Sequence, residues 1–224
     1  MHKGKLNKAT NDFIHVSDDN ILEFFEKGEE AYKKLMEGNK RFVEGNLMQK
    51  DLGEDKKKEL SKGQKPFAIV VSCSDSRVSP EIIFDQGLGD LFVIRVAGNV
   101  VDQVALGSIE YAAEHLHAPL LIILGHTQCG AVTAAVETVE KKVKPEGNIG
   151  TIVKKIIPAV KKAKIKGGNK EEITYNAIKE NVLLVKKDIE KKSPILKHLI
   201  EKGELKVVTA IYDITSGKVE VIKE

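Results

Sequence analysis

The apolar positions of this chain follow two different patterns before and after residue 66. Up to about Gly45, apolar residues recur at helical spacing among charged ones, as in segments 20–25 and 31–42, which predicts polar, amphipathic helices. Segment 50–65 is charged and contains two glycines, which is typical of a mobile connection or a frayed helix. We therefore expect residues 1–50 to form an N-terminal helical arm that lies outside the core.

From Pro66 onward, short continuous apolar runs alternate with longer helical segments. Such runs predict strands buried on both faces of a parallel sheet. The predicted strands are 67–72, 91–95, 120–125 and 205–212, and the predicted helices are 102–117, 130–140, 149–164, 170–192 and 194–202. Pro80 suits the first position of a further short helix, Asp102 can cap the helix that follows it, and Ser216-Gly217 can turn the chain into an edge strand at 218–222.

These elements predict an α/β fold with a central, mostly parallel β-sheet flanked by helices, an N-terminal helical arm and a C-terminal edge strand. Residues 51–224 then form a single α/β catalytic domain. The charges, 36 basic against 33 acidic residues, are too balanced for a nucleic-acid footprint. No apolar run approaches the ~20 residues of a membrane span, so we expect a cytoplasmic protein without a membrane partner.

Both cysteines stand in polar clusters directly after apolar runs. Cys73 and Asp75 follow the run 67–71, and His126 and Cys129 follow the run 120–124. The carboxyl ends of parallel strands are where open α/β sheets bind their ligands. Two thiolates, an imidazole and a carboxylate are the donors of a tetrahedral zinc site.

Three other interpretations of these donors stay open. A closed site of all four donors could only brace the fold, without catalysis. The two cysteines could instead form a Cys73–Cys129 disulfide or a reversible redox pair. Arg77 argues against the bracing site, because a structural zinc site has no need of an arginine that competes for the carboxylate of Asp75.

The two clusters together resemble the β-class carbonic anhydrases. The residues that carry the resemblance are Cys73-x-Asp75-Ser76-Arg77 and His126-x-x-Cys129-Gly130. It continues through segment 90–95, Gly98-Asn99 and segment 108–111, and so covers about residues 64–132. The resemblance implies reversible hydration of CO₂ to bicarbonate and a proton by a zinc-bound hydroxide.

In this family pattern, Cys73, His126 and Cys129 hold Zn²⁺, and the fourth position takes water or, in a closed form, Asp75. The resemblance assigns catalytic roles to Asp75 and Arg77: Arg77 keeps the carboxylate of Asp75 off the metal, and Asp75 accepts a hydrogen bond from the hydroxide. Hydrolysis of CS₂ or COS on the same scaffold is an alternative that the sequence does not separate from CO₂ hydration.

Further roles follow from the resemblance alone. It implies a substrate pocket and, at His115, a proton shuttle that shares a helix face with Tyr111. It also implies a homodimer or homotetramer with the active site at the dimer interface, where some pocket residues would serve a neighbour's zinc. The implied pocket residues are Gln64, Phe92, Ala97, Tyr111 and Gly130.

Overall fold

The computed structural model describes residues 18–222, and this part of the chain contains one five-stranded sheet in the order β2-β1-β3-β4-β5. The first four strands are parallel, and β5 pairs with β4 in the antiparallel direction. The strands are β1 (Ala68–Ser72), β2 (Leu91–Arg95), β3 (Leu120–His126), β4 (Lys206–Tyr212) and β5 (Val219–Val221). The predicted fold class is confirmed, and each predicted strand is present to within two residues at either end.

The helices surround this sheet. They are α1 (Asp18–Glu44), α2 (Glu54–Leu60), α3 (Pro80–Ile83), α4 (Gln103–Glu110), α5 (Gly130–Lys141), α6 (Ile149–Ile165), α7 (Lys170–Lys192) and α8 (Pro194–Glu201). Asp102 caps α4 as predicted, because its carboxylate accepts a hydrogen bond from the amide of Ala105. The predicted helix 102–117 differs in its last turn, where residues Tyr111–His115 widen into a π-helix.

Two apolar clusters cover the two faces of the sheet. On one face, Ile69, Leu121 and Ile123 pack with residues of α4 to α8. On the other face, Leu120 and Ile122 pack with a smaller set from α1 and α3. Alternate residues of each central strand point to opposite faces, so every one of them is buried, as the continuous apolar runs predicted.

The expectation that the N-terminal segment lies outside the core is wrong for the C-terminal half of α1. Leu35 is fully buried and Ala31 nearly so, both in the smaller cluster. Gly38 allows a close approach, since a Cβ atom there would lie 1.8 Å from the carbonyl oxygen of Phe84. The predicted helical periodicity is confirmed, but periodicity alone does not indicate whether an apolar stripe packs against the sheet. The division of the chain at residue 50 stays a prediction.

The register of the sheet brings the ends of three strands together. Ser72, the last residue of β1, pairs with Arg95 at the end of β2 and with Leu124 near the end of β3. Cys73 follows β1 directly, and His126 is the last residue of β3. Within residues 18–222, no helix combines the length and the apolar character needed to cross a membrane.

Candidate metal centre

Three buried side chains meet where β1 and β3 end. The ligand atoms of Cys73, His126 and Cys129 all lie within 4.8 Å of one another. Cys73 lies in the loop after β1, His126 is the last residue of β3, and Cys129 directly precedes α5. Both cysteines are free thiols. Two sulfurs and one imidazole are a ligand set that catalytic zinc sites use when they keep a fourth position open, so these three side chains could hold a metal ion.

The imidazole of His126 is oriented for metal binding. Its Nδ1 atom lies 2.9 Å from the carbonyl oxygen of Thr127, which assigns the ring proton to Nδ1. The other nitrogen, Nε2, is buried and has no hydrogen-bond partner. A buried nitrogen with a free lone pair is costly unless something binds it, so the site fits a metal ion.

The surroundings of Cys73 favour thiolate, the form in which cysteine binds metals. The pKa of Cys73 is lowered, chiefly because the thiol of Cys129 donates a hydrogen bond to it, and backbone amides, including that of Gly98, add to the effect. The same hydrogen bond, together with burial, raises the pKa of Cys129. Amides at the start of α5 act in the opposite direction on Cys129, as expected at a helix N-terminus.

Asp75 stands beside the cluster but is held by Arg77. The Nε and Nη2 atoms of Arg77 donate to the two carboxylate oxygens at 2.9 and 2.8 Å, and the Arg77 backbone amide adds a bond of 3.0 Å to Oδ1. The side chain of Asp75 is 17% exposed and that of Arg77 is 50% exposed. The hydrogen bonds from the Arg77 side chain hold the pKa of Asp75 well below its usual range. Asp75 is therefore an anion whose carboxylate is turned toward the guanidinium.

Three residues outside the predicted ligand, catalytic and pocket residues support this loop. Arg95 donates to the carbonyl oxygens of Cys73 and Asp75 at 3.0 and 2.6 Å. The amide of Gly98 lies 3.2 Å from the sulfur of Cys73, and Asn181 on α7 binds the Gly98 carbonyl. The position of Arg95 at the end of β2 was a usable signal. Asn181 gave none, because it stands in a helix far along the chain.

The residues assigned to a substrate pocket separate into two groups. Ala97 lies in the short 3-10 helix Ala97–Asn99, whose Gly98 contacts Cys73, and Gly130 begins α5 directly after Cys129. Gln64 is exposed and precedes β1, at the opposite end of the strand from Cys73. One protomer therefore does not bring Gln64 to its own metal centre.

Phe92, Tyr111 and His115 form an aromatic group that we call the β2-side cluster. The ring centroids of Phe92 and Tyr111 are 6.2 Å apart, and those of Tyr111 and His115 are 5.5 Å apart. The shared helix face of Tyr111 and His115 is thus observed. Phe92 pairs with Ile69, four residues and about 13 Å of strand before Cys73. This cluster also lies toward the amino ends of the strands, away from the chain's own sulfurs.

Comparison with known proteins agrees with this geometry. A family model described as carbonic anhydrase matches residues 68–219. "Carbonic anhydrase 2" of Mycobacterium tuberculosis is 39% identical over 189 residues, which cover 84% of this chain and 89% of that protein. "Carbonic anhydrase" of Mycolicibacterium smegmatis is 36% identical over 192 residues, covering 85% and 91%.

Solved structures show the same fold. The β-carbonic anhydrase of Aspergillus fumigatus superimposes with a TM-score of 0.68 at 29% identity, over 75% of this chain and 81% of that one. The Coccomyxa β-carbonic anhydrase in complex with acetazolamide gives 0.67 at 26% identity, over 75% and 76%. Family model, relatives and fold agree, and the chain belongs to the β class of the carbonic anhydrase family.

Proposed function

We propose that this protein catalyses the reversible hydration of CO₂ to bicarbonate and a proton, with Zn²⁺ held by Cys73, His126 and Cys129. One observation carries the proposal: three buried donors converge, while the nearby carboxylate of Asp75 is bound through both oxygens by Arg77 and is not one of them. A bracing site would use all four donors. The family membership supports the same conclusion.

Zinc in this site would supply Lewis-acid chemistry, making a water in its fourth position nucleophilic near neutral pH. The chain's own residues would then orient the reactants. Oδ1 of Asp75 already accepts two hydrogen bonds, whereas Oδ2 accepts one from Arg77 and keeps a lone pair. Asp75 can therefore accept one further hydrogen bond from a donor beside the cluster and hold its proton in a fixed direction.

The test combines metal analysis with a stopped-flow assay of CO₂ hydration above neutral pH. Purified protein should contain one zinc per chain and hydrate CO₂. Asp75→Ala should keep its zinc and lose activity by about 100-fold or more. Loss of zinc from this variant would support the bracing site instead. Hydrolysis of CS₂ or COS without hydration of CO₂ would contradict the proposed substrate.

We also propose that the active site is completed in a homodimer or homotetramer. Gln64 and the β2-side cluster are remote from the chain's own sulfurs, and Tyr111 is 47% exposed. Strand β2 is an edge of the sheet in the described part of the chain. An unpaired edge beside exposed aromatic residues suits contact with a second copy. One solved relative in fold, from Sordaria macrospora, is described as tetrameric.

Subunit mixing tests this arrangement. Cys129→Ser removes a metal ligand, and Phe92→Ala removes a pocket residue, so each variant alone should have little activity. A mixed dimer joins the intact metal site of one chain to the intact Phe92 of the other, and the mixture should regain activity. A fully active monomer in size-exclusion chromatography with light scattering would refute the shared site.

His115 remains our candidate for the proton shuttle, because it contacts Tyr111 and an imidazole exchanges protons near neutral pH. His115→Ala should lower kcat in weak buffer, and added imidazole should restore it. Unchanged kcat in weak buffer would exclude this role. We place the protein in the cytoplasm, which cell fractionation can check.

A further inference from the structure

We propose that Asn181 of α7 is a positioning residue for the metal ligand Cys73, acting through the backbone of Gly98. The inference rests on the proposed metal site. Two hydrogen bonds in series connect the residues. Asn181 Nδ2 donates to the Gly98 carbonyl at 2.8 Å, and the Gly98 amide donates to Cys73 Sγ at 3.2 Å.

The first step is the conformation of Gly98. Its backbone is left-handed, with φ 68° and ψ 20°, a region that glycine enters without steric cost. A Cβ atom would lie 2.7 Å from Cδ1 of Ile156 and 3.0 Å from Cβ of Ala131. The close packing explains why glycine stands here. Glycine has no side chain that could hold its peptide groups in one orientation, so a neighbouring residue must restrain them.

The second step is the anchor that Asn181 provides. Asn181 is 1% exposed, and its amide nitrogen reaches the Gly98 carbonyl across 83 residues of sequence. The next residue of α7, Val182, packs against β3 so closely that a Cβ on Gly125 would lie 2.6 Å from its Cγ2. Gly125 directly precedes His126. One rigid helix therefore sets the position of the Gly98 turn relative to the strand that bears the imidazole ligand.

The third step is the effect on sulfur. A hydrogen bond from an amide to a thiolate withdraws charge from the sulfur and weakens its donation to a bound metal. It also fixes the direction of the sulfur lone pairs. Two thiolates would otherwise neutralise the charge of a divalent ion, so the Gly98 amide keeps the metal more electrophilic. Asn181 preserves this bond by restraining the Gly98 turn.

Asn181→Leu tests the proposal, since leucine has a similar size and no donor. Thr209→Val is the matched control: Thr209 is buried on β4 and donates to the carbonyl of Ile222 at 3.0 Å, outside the metal loops. Both variants lose one hydrogen bond from a buried side chain to a backbone carbonyl. A merely structural role for Asn181 predicts that both behave alike at the metal site.

The readouts are the thiolate-to-cobalt charge-transfer band of the Co²⁺-loaded protein and zinc affinity by chelator competition. In Asn181→Leu we expect the band to move to lower energy, because a sulfur without the amide hydrogen bond donates more charge. Zinc affinity should fall about tenfold, the lower end for outer-shell changes, because the sulfur is no longer held in a fixed direction and this loss outweighs the stronger donation. Thr209→Val should match the wild type in both. A wild-type spectrum and affinity in Asn181→Leu would overturn the proposal.

Two further measurements test the proposal if Asn181→Leu does not fold. Asn181→Ala also removes the donor but introduces less bulk than leucine, and it should shift the band in the same direction. In the wild type loaded with ¹¹³Cd, the Gly98 amide proton should show scalar coupling to the metal through the hydrogen bond, and absence of coupling would refute the link. A wild type that binds none of these metals would instead contradict the proposed function.

Discussion

Replacing Gly98 by alanine should damage both the fold and the metal site, and the structure allows the size of the effect to be worked out. A left-handed backbone costs an L-residue about 1–2 kcal/mol. The new Cβ would also lie 2.7 Å from Ile156 and 3.0 Å from Ala131. Overpacking of a core of this kind costs about 1–3 kcal/mol. The free energy of unfolding should therefore fall by about 2–5 kcal/mol.

Thermal and urea unfolding of the zinc-loaded protein measure this change. For a chain of this size, a loss of 2–5 kcal/mol corresponds to a fall in Tm of about 4–20 °C. The shifted turn would also pull the Gly98 amide away from Cys73 Sγ, so zinc affinity should fall together with stability. We expect both effects in the same variant.

Gly107→Ala is the matched control. Gly107 lies in α4, and a Cβ atom there meets nothing within 4 Å. This substitution should leave stability unchanged or raise it by about 0.5–1 kcal/mol, because alanine favours helix and restricts the unfolded chain. Equal stability and equal zinc affinity for Gly98→Ala and Gly107→Ala would refute the reasoning about the left-handed turn.

Three other substitutions test separate parts of the structure. Arg77→Ala should free the Asp75 carboxylate and raise its pKa toward the ordinary range. The rate of CO₂ hydration in stopped-flow assays should then fall about 100-fold. Full activity of this variant would show that the arginine is dispensable. Leu35→Ala should lower the free energy of unfolding measured in urea by about 2–5 kcal/mol, because Leu35 of α1 is fully buried. A loss below about 1 kcal/mol would place α1 outside the core. Although burial opposes it, hydrogen bonds from Lys50 and Arg41 lower the pKa of Asp85, so its charge stabilises the fold above its unfolded pKa of about 4. Asp85→Asn should thus be less stable than the wild type at pH 7. The difference in unfolding free energy between the two proteins should narrow as acid protonates the native carboxyl, and a difference that widens in acid would contradict this reasoning.

Local patterns in the sequence predicted most of the catalytic core. Each buried strand appears as a continuous apolar run, because a strand between two helical layers has no polar face. The same logic predicted that Cys73 and His126 stand at strand ends, where the structure brings them together with Cys129. Asp75 and Arg77 are two residues apart, and their ion pair is local as well.

Tertiary structure alone decided what depends on distant parts of the chain. The apolar stripe of α1 predicted a helix but not the surface against which that helix packs. Only the packing shows that Leu35 enters the core. Asn181 stands 83 residues from Gly98, and no periodicity joins a helix interior to a turn. The separation of the β2-side cluster from the sulfurs likewise follows from strand direction and register. Apolar period and strand-end chemistry are local properties of a sequence, whereas the contacts that orient the ligands form only when the chain folds.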